Sequence, residues 1–256
     1  MNHHAVRQMT VEPRANRSPY RPPADVFSRP LREVLLSSAR NHLEPKQLSL
    51  LDQGSGASAK STTLDIAGNL DLLFKPCIAV IGARKVSDLG RRRARQFARQ
   101  LADRDIVVVS GLAEGVDTEA LEAAIEAGGK VIGVIGTPID KAYPAKNKAL
   151  QEAIYRDHLL VSQFPRGTRT FPSSFPARNR TMAALSDASV VIEASDTSGT
   201  LHQAAECQRL GRWLGISKSV ADDPGLSWPA KFLGQPRTAI LETTEQFLSQ
   251  VYGVDQ

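Results

Sequence analysis

The feature that most constrains the fold is a regular alternation of apolar runs and amphipathic segments that begins at Cys77. The first run, CIAVIG at 77–82, is continuously apolar and rich in β-branched residues, which is typical of a strand buried on both faces of a parallel sheet. The spacing that follows predicts a helix from Asp88 to Asp103, with an apolar stripe that includes Phe97 and Leu101. Because strands that alternate with helices of this length build parallel sheets, we predict an α/β fold with a doubly wound, mostly parallel Rossmann-like sheet.

The alternation continues towards the C-terminus. Further strands are predicted at 106–111, 130–136, 158–163, 188–194 and 213–217, the last being the final strand that we expect. Further helices are predicted at 115–129, 146–157, 178–187, 198–211 and 242–253. Neither the dinucleotide-binding sequence GxGxxG nor the phosphate-binding sequence GxxxxGK[ST] occurs, so we expect neither a dinucleotide oxidoreductase nor a P-loop ATPase.

The local composition divides the chain into three segments. The N-terminal segment is rich in proline and arginine without a steady period, which favours a disordered or loosely packed state. The middle segment is predicted as a short helical extension, with helices at 31–42 and 64–74 around a flexible linker at 52–62. The three predicted segments are 1–30, 31–75 and the Rossmann-like domain 76–256.

The overall composition sets weak limits on function. The net charge of +5, from 32 Lys and Arg against 27 Asp and Glu, is compatible with nucleic acid as a partner without establishing it. The two cysteines, Cys77 and Cys207, have no metal-ligand spacing, so we expect neither a metal site nor a disulfide framework. The sequence contains no apolar run of membrane-spanning length and no apolar signal core near its start. We therefore expect a cytoplasmic protein with no membrane association and no cofactor.

Small and hydroxyl residues follow the predicted strands at the edge where such sheets bind ligands. In a doubly wound sheet the ligand crevice lies beyond the carboxyl ends of the strands. Glycine there lets a phosphate approach the main chain, and serine or threonine hydroxyls cap the next helix or bind the same anion. The candidate phosphate-binding residues at these strand ends are Gly82, Arg84, Ser110, Gly111, Ser198, Gly199 and Thr200.

The segment FPARNR at 175–180 adds positive charge at a predicted helix start. We expect Arg178, Asn179 and Arg180 to lie in the first turn of the helix predicted over 178–187. A helix N-terminus carries unpaired N–H groups and a partial positive charge, so an acidic first turn is usual and a basic one is not. Two arginines and an asparagine at that end therefore indicate a bound phosphate or phosphate backbone. A solvated, slightly destabilised helix start is the alternative.

Two other basic segments have less specific patterns. The loop at 163–175 interleaves arginines with Phe171 and Phe175, which suits phosphates and stacked bases. The same rings would also serve to anchor the loop to the core, so base stacking is one of two interpretations. Three arginines of the first long helix, for which we favour a solvated face over a binding stripe, are Arg91, Arg95 and Arg99.

Taken in order, these motifs resemble the DprA/Smf family of DNA-processing proteins, which is related to the lysine-decarboxylase-like phosphoribohydrolases. The resemblance rests on IGARKVSDLG, SGLAEGVD, YPAKNKAL, FPARNR and VIEASDTSGTLHQA, and it covers about residues 77–216. It implies a single-stranded DNA-binding protein that loads a RecA-type recombinase, forms a homodimer and holds phosphates in a positive pocket without catalysis of its own. By motif, Arg84 matches the family's GSR segment, Asp117 its SGxAxGxD segment, and Arg178 its FPxRNR segment.

The chain departs from the family pattern at several positions. Ala83 replaces the serine of GSR, and Leu121 stands where the family usually has histidine. The resemblance stops soon after the predicted sheet, so we expect a minimal, stand-alone member without the winged-helix-like domain that is common in the family.

A second hypothesis is a sensor of free nucleotides or nucleotide derivatives, or a phosphoribohydrolase-like enzyme. Those relatives use a glutamate in a PGGxGTxxE turn, but the matching position here is Gln203, and an amide cannot act as a general base. Glu193 and Glu206 are other carboxylates of this region, and we rank hydrolysis below binding and assign no catalytic residue. An interaction subunit that has kept the fold and lost the ligand is a third hypothesis.

Overall fold

A computed structural model describes residues 19–37 and 62–253 of the chain. The strands are β1 (Phe27–Pro30), β2 (Thr63–Gly68), β3 (Cys77–Ile81), β4 (Val107–Ser110), β5 (Val131–Ile135), β6 (Leu159–Ser162), β7 (Ala188–Val191), β8 (Trp213–Ser217) and β9 (Thr238–Leu241). The α-helices are α1 (Leu31–Ser37), α2 (Asp88–Ala102), α3 (Val116–Glu126), α4 (Lys148–Asp157), α5 (Ser174–Leu185), α6 (Thr200–Arg209), α7 (Lys218–Ala221), α8 (Pro229–Phe232) and α9 (Thr244–Tyr252). Short 3₁₀ helices lie at Leu70–Phe74 and Ala145–Asn147.

All of these strands belong to one sheet, in the order β1-β2-β6-β5-β4-β3-β7-β8-β9. The strands from β3 to β9 run parallel to one another, whereas β1 and β2 are antiparallel to their neighbours at one edge. From β3 the chain winds outward through β4, β5 and β6, and then returns to place β7 on the other side of β3. The predicted α/β fold with a doubly wound, mostly parallel sheet is confirmed, and its topological switch point lies between β3 and β7.

The hydrophobic core lies on both faces of the sheet. All residues of β3 are buried, which explains why its sequence is continuously apolar. The cluster on one face includes Leu35 of α1 and Met182 of α5, and the cluster on the other includes Phe97 of α2 and Leu121 of α3. Each large apolar side chain buried in these layers contributes about 1.5–3 kcal/mol relative to an exposed one. The sheet is therefore a rigid base for the loops at its carboxyl edge.

The helix predicted at 64–74 is wrong in its first half. Thr63–Gly68 forms β2, which pairs with β6, and only Leu70–Phe74 is helical, as a 3₁₀ turn. The central residues of β2 are all buried. A short apolar run carries no periodicity that separates a buried strand from a buried helix, and here the pairing with β6 decides the outcome.

The edge strands β1 and β9 are absent from the predicted elements. β1 lies at the end of the segment expected to be disordered or loosely packed, and β9 follows the last predicted strand. Their residues are exposed or half-buried, so neither sequence has the continuous apolar run of a central strand. Residues 1–18 and 38–61, which carry most of the predicted disorder and linker, lie outside the described residues. The division into three segments stays a prediction.

The helix predicted from Arg178 begins one turn earlier, at Ser174. The main-chain N–H of Ser174 donates to the carbonyl oxygen of Phe171, and the Ser174 hydroxyl accepts from the N–H of Phe171. Pro176 fits in this first turn, since the first N–H groups of a helix have no partner within it. Arg178, Asn179 and Arg180 are consequently the fifth, sixth and seventh residues of α5, so their predicted place in the first turn is wrong.

Candidate functional site

A cleft of about 1270 Å³ opens at the switch point, where β3 and β7 end side by side. Ile81 of β3 pairs with Val191 of β7, so the loops that follow both strands leave the sheet together. The other walls come from the loop after β5, the loop before α5 and the first turn of α6. The cleft exceeds the roughly 300–1,000 Å³ of pockets for drug-sized ligands, so it has room for an extended ligand.

Cations outnumber carboxylates in the lining of this cleft. The basic lining residues are Arg84, Lys85, Arg93, Lys141 and Arg178, and the acidic ones are Asp117, Glu193 and Asp223. The Glu193 carboxylate is already bound, because it accepts from the N–H and the hydroxyl of Ser87 at 2.9 and 2.5 Å. Ser87 caps α2, so this carboxylate occupies the helix start where an external anion would otherwise bind. The excess charge of the cleft is therefore positive.

Arg178 lies in the floor of the cleft. Its side chain is buried, and Nη1 donates to the carbonyl oxygens of Gly111 at 2.7 Å and Val134 at 2.6 Å. These two carbonyls lie at the ends of β4 and β5, so the guanidinium joins the two strand ends. A methyl group at Gly111 would overlap the guanidinium, which is why this position has glycine. Burial lowers the pKa of Arg178, and the charge of Asp117 opposes this shift.

Asp117 holds the same floor from α3. Its buried carboxylate accepts from the N–H of Gly111 at 3.1 Å and from that of Ala113 at 3.4 Å. Burial raises the pKa of Asp117. Between these N–H groups, Leu112 adopts a φ of 55°, and its carbonyl oxygen accepts from Asn147 Nδ2 at 2.9 Å. The turn after β4 is thus held by side chains from α3 and from the 3₁₀ helix before α4.

Two of the predicted phosphate-binding residues make close contacts within the protein. Ser110 is buried, and its hydroxyl donates to the carbonyl oxygen of Val80 at 2.7 Å. Gly82 lines the cleft, where a Cβ would come within 2.6 Å of the Val116 side chain and within 2.8 Å of the Glu193 carbonyl oxygen. Glycine at 82 therefore allows the loop after β3 to pack against α3 and the end of β7.

The start of α6 forms one wall of the cleft, with Ser198, Gly199 and Thr200 in the lining. The N–H of Thr200 donates to Ser198 Oγ at 3.2 Å, so this part of the helix start is capped from within. Asn179 connects α5 to the same turn, since its Nδ2 donates to the Gly199 carbonyl oxygen at 3.4 Å. Its Oδ1 accepts from Arg178 Nε at 3.0 Å, so the wall is connected to the floor.

The residues considered for hydrolysis have neighbouring donors. Gln203, at the position that a PGGxGTxxE turn fills with glutamate, is buried. Its amide, in the orientation that satisfies both ends, donates to the carbonyl oxygen of Asn179 at 2.6 Å. Glu206 lies 3.5 Å from Nε of Arg180, which belongs to α5. It also accepts a hydrogen bond at 2.8 Å from Arg209 of its own helix, α6. The Arg180 side chain thereby connects α5 to α6. The Glu193 carboxylate is bound to Ser87, the cap of α2.

Three aromatic rings form the rim of the cleft. Phe175 packs over Gly136, where a Cβ would come within 2.6 Å of its ring, and its centroid lies 5.3 Å from that of Tyr143. The Arg84 guanidinium lies 5.5 Å from the Phe175 centroid, within range of a cation–π interaction. Phe171 is 52% exposed. Base stacking by the two phenylalanines stays a prediction, and Tyr143 is a ring that sequence reasoning missed although its YPAKNKAL segment was recognised.

Sequence reasoning also missed three cations of the cleft. Lys85, Arg93 and Lys141 all line it, and Lys141 reaches the loop before α5 through a hydrogen bond to a carbonyl oxygen. Helical spacing indicates that Arg93 faces a different direction from its neighbouring arginines. It lies two positions, or about 200°, from both Arg91 and Arg95, and therefore on a different face of α2.

The three arginines predicted to form a solvated face make ion pairs with α3. Arg91 contacts Glu119 at 2.7 Å. Arg95 reaches Glu119 at 3.2 Å and also contacts Glu126, and Arg99 lies 3.4 Å from Glu126. These arginines are thus partners of α3 on the surface of the protein, which excludes them from the lining of the cleft.

Metal-binding clusters and membrane-spanning helices are both absent from residues 19–37 and 62–253. No three histidine, cysteine, aspartate or glutamate side chains in these ranges are grouped so as to hold a metal ion. None of the helices within them has the length and apolar character needed to cross a membrane. Cys77 and Cys207 are both buried, and neither forms a disulfide within these ranges.

Comparison with known proteins finds relatives over most of the chain. A family model described as "DNA recombination-mediator protein A" matches residues 45–250. The DNA processing protein DprA of Streptococcus pneumoniae is 39% identical over 184 residues, which cover 72% of this chain and 64% of that protein. The chain spans between 34% and 64% of the length of the curated relatives it matches.

Two solved structures share the fold at recognisable sequence identity. The X-ray structure of DprA from Streptococcus pneumoniae superposes with a TM-score of 0.67 at 33% identity, and the match covers 82% of this chain and 79% of that one. A DprA structure from Helicobacter pylori, described for its single-stranded DNA binding mode, has a TM-score of 0.65 at 27% identity. That match covers 75% of this chain and 87% of the other.

Proposed function

The chain belongs to the DNA recombination-mediator protein A family, and on that premise we propose that it binds single-stranded DNA in the cleft at the switch point. The proposal includes delivery of the bound strand to a RecA-type recombinase, no chemistry on the DNA itself, and action as a homodimer in the cytoplasm. The observation that carries the binding proposal is a group of cleft cations that have no carboxylate partner among the residues that the structure describes.

These cations are Arg84, Lys85 and Arg93. Their side chains make no hydrogen bond or ion pair with any residue in the described ranges, whereas Arg91 and Arg95 of the neighbouring surface are paired with glutamates. Positive charges gathered in a concave site attract a polyanion, and each phosphate that they neutralise releases counterions. A nucleic-acid backbone supplies the missing negative charges.

The aromatic rim favours a single strand over a duplex. The bases of a single strand are free to stack on exposed rings, which contributes roughly 1–3 kcal/mol per base, whereas the bases of a duplex are already paired and stacked. Phe171 is exposed at this rim, and Phe175 lies between Arg84 and Tyr143. The single-stranded DNA binding mode described for the Helicobacter pylori relative supports the same choice.

We assign two kinds of role to the residues of the cleft. Arg84 contacts phosphates directly, and Ser198 and Thr200, whose hydroxyls are hydrogen-bonded to each other at 2.9 Å, line the wall formed by α6. Arg178 and Asn179 are positioning residues, because their polar groups are directed to carbonyl oxygens and to each other. On this assignment the floor sets the geometry and the unpaired cations bind the DNA.

The recombinase and homodimer parts of the proposal are supported by family membership alone. Sedimentation equilibrium of the purified protein tests the homodimer, and a monomer at micromolar concentration contradicts it. A loading activity predicts faster filament formation by a RecA-type recombinase on DNA covered with single-strand-binding protein. An unchanged rate contradicts that part without affecting the binding proposal.

The binding proposal is tested by fluorescence anisotropy of a labelled dT oligonucleotide at several salt concentrations. We expect tight binding, with log K falling against log salt by about 0.7 for each phosphate neutralised. Unlabelled single strands compete, and duplexes and mononucleotides compete weakly. Absence of binding by folded protein contradicts the proposal. Stabilisation by mononucleotides without oligonucleotide binding favours the nucleotide sensor instead, because a ligand that binds only the folded state raises its stability.

A further inference from the structure

Helix α2 carries five arginines, and one of them differs from the others in its surroundings. Arg91, Arg95 and Arg99 face α3 and pair with its glutamates. Arg93 points to another side of α2 and lines the main cleft. Its side chain is partly buried and makes no hydrogen bond or ion pair within residues 19–37 and 62–253. A partly desolvated cation is costly without a counter-charge, so this environment suits an external anion.

A second groove, of about 590 Å³, adjoins the main cleft at Arg93. It lies at the carboxyl ends of β7, β8 and β9, and it shares Arg93 and Ser219 with the cleft. Arg93 therefore stands at the junction of the two cavities. A strand held in the cleft passes this side chain if it continues in this direction.

The charge changes sign beyond Arg93. The ionic residues of the second groove, apart from Arg93, are Lys218, Asp222, Glu242 and Glu245. Lys218 Nζ is shared between Asp222 at 3.3 Å and Glu242 at 3.4 Å, so two carboxylates have one lysine between them. Glu245 pairs with Arg104, which does not change this excess. The second groove is therefore unfavourable for phosphates.

We propose that Arg93 binds the last phosphate of the DNA in the cleft, and that the strand leaves the protein there without entering the second groove. This inference rests on the proposed function, because it assigns one end of the same binding site. Arg84 and Lys85 attract the backbone on one side of the junction, and the shared carboxylates repel it on the other. The DNA footprint thus ends where the charge changes sign.

The test compares Arg93→Ala with Arg91→Ala, the same substitution on the same helix, by anisotropy with labelled dT oligonucleotides at several salt concentrations. We expect Arg93→Ala to weaken binding roughly tenfold at low salt and to reduce the salt slope by about 0.7, the effect of one phosphate. Arg91→Ala stays within about twofold of wild type, because that arginine is paired. Arg93→Lys restores the slope, since lysine also neutralises a phosphate. The unfolding midpoint of Arg93→Ala does not fall, because no ion pair with a described residue is lost and a partly desolvated charge is removed.

Lys218→Ala distinguishes a boundary from a continuous path through the second groove. We expect it to bind DNA with the wild-type affinity. If Lys218→Ala weakens binding as much as Arg93→Ala, the strand enters the second groove and the boundary is wrong. If Arg93→Ala binds like wild type while Arg84→Ala is weakened, the inference falls and the proposed function stands. If wild type binds no dT oligonucleotide, both fall.

Discussion

Two arginine-rich regions of this protein lie close together and differ in how their positive charges are balanced. On the surface shared by α2 and α3, Arg91 and Arg95 reach Glu119, and Arg99 lies near Glu126. In the cleft, Arg84, Lys85 and Arg93 have no carboxylate partner within the described residues. The first region satisfies its charges internally, and the second retains an excess of positive charge.

The difference shows that helical spacing alone does not identify which arginines have a carboxylate partner. The three regularly spaced arginines of α2 have partners on α3, whereas the irregularly placed Arg93 faces the cleft. What decides the role is whether a neighbouring element supplies a carboxylate. A paired surface arginine has little to gain from a phosphate, because exchanging one anion for another changes the free energy little.

The largest expected effect comes from breaking the floor that supports the unpaired cations. Gly111→Ala forces a methyl group onto the Arg178 guanidinium and disrupts its bonds to the carbonyls of Gly111 and Val134. We expect the free energy of unfolding to fall by about 3 kcal/mol, from overpacking and a displaced buried charge. Urea denaturation measures this loss. Gly199→Ala is the control, since its added Cβ has no neighbour within 4 Å, and an equal loss there contradicts the account.

Removing a cleft cation should reduce DNA affinity and leave stability unchanged. Arg84→Ala deletes a charge that has no ion pair among the described residues and that lies over the Phe175 ring. We expect a loss of about 1.5–3 kcal/mol in the binding free energy at low salt, the range for hydrogen bonds to charged groups. Anisotropy with a dT oligonucleotide measures it beside Arg91→Ala. Equal losses in the two variants would remove the distinction between the regions.

A smaller effect is expected at the aromatic rim. Phe171→Ala removes an exposed ring, so folding should be unaffected, and stacking with one base is lost. We expect a loss of about 1 kcal/mol in the binding free energy, the low end of the range for stacking with one base, because Phe175 and Tyr143 remain. Leu89→Ala is the matched control, since Leu89 is also a large exposed apolar residue but lies outside the cleft lining. Wild-type affinity in Phe171→Ala would assign this ring no part in binding.

The smallest effect concerns the paired region and its dependence on pH. Hydrogen bonding from Arg95 lowers the pKa of Glu126 below its usual value of 4.5. A carboxylate whose folded-state pKa is depressed stabilises the fold above its unfolded pKa, and this contribution is lost as the pH falls through the folded pKa. We expect Arg95→Ala to be less stable than wild type at pH 7 and the difference to shrink below about pH 4.

That pH dependence is measured by urea denaturation at pH 7 and again below about pH 4, with Arg92→Ala as the control. Arg92 is an exposed arginine of the same helix whose side chain makes no ion pair among the described residues, so its substitution should have the same small effect at each pH. A pH-independent difference for Arg95→Ala would show that the pair with Glu126 does not stabilise the protein. DNA affinity at pH 7 should be unchanged in both variants.

The sheet could be predicted from the sequence where strands are buried on both faces. The run that begins at Cys77 is continuously apolar because β3 is covered by both layers, and the strands up to β8 follow the same rule. The rule fails for β2, whose short apolar run also fits a helix, and for β9, which is half-exposed at an edge. In both cases pairing with a distant strand decides the structure, and local sequence does not contain that pairing.

The site could be predicted only in part. The strand ends that carry Gly82, Arg84 and Gly199 do meet at one cleft, because parallel strands end at the same edge of a sheet. The first-turn position of Arg178 is wrong because α5 begins at Ser174, with Pro176 inside its first turn, where a proline is tolerated. The place of Arg93 in the cleft could not be predicted, because it depends on which face of α2 packs against α3.

The most direct test removes the same amount of positive charge from each of the two regions. The double variant Arg84→Gln with Lys85→Gln and the double variant Arg91→Gln with Arg99→Gln each lower the net charge by about two, so long-range attraction to DNA changes equally in both. The measurement is the salt dependence of dT oligonucleotide affinity. We predict that the slope falls by about 1.4 in the first variant, the effect of two phosphates, and keeps its wild-type value in the second. Equal slopes in the two variants would contradict it.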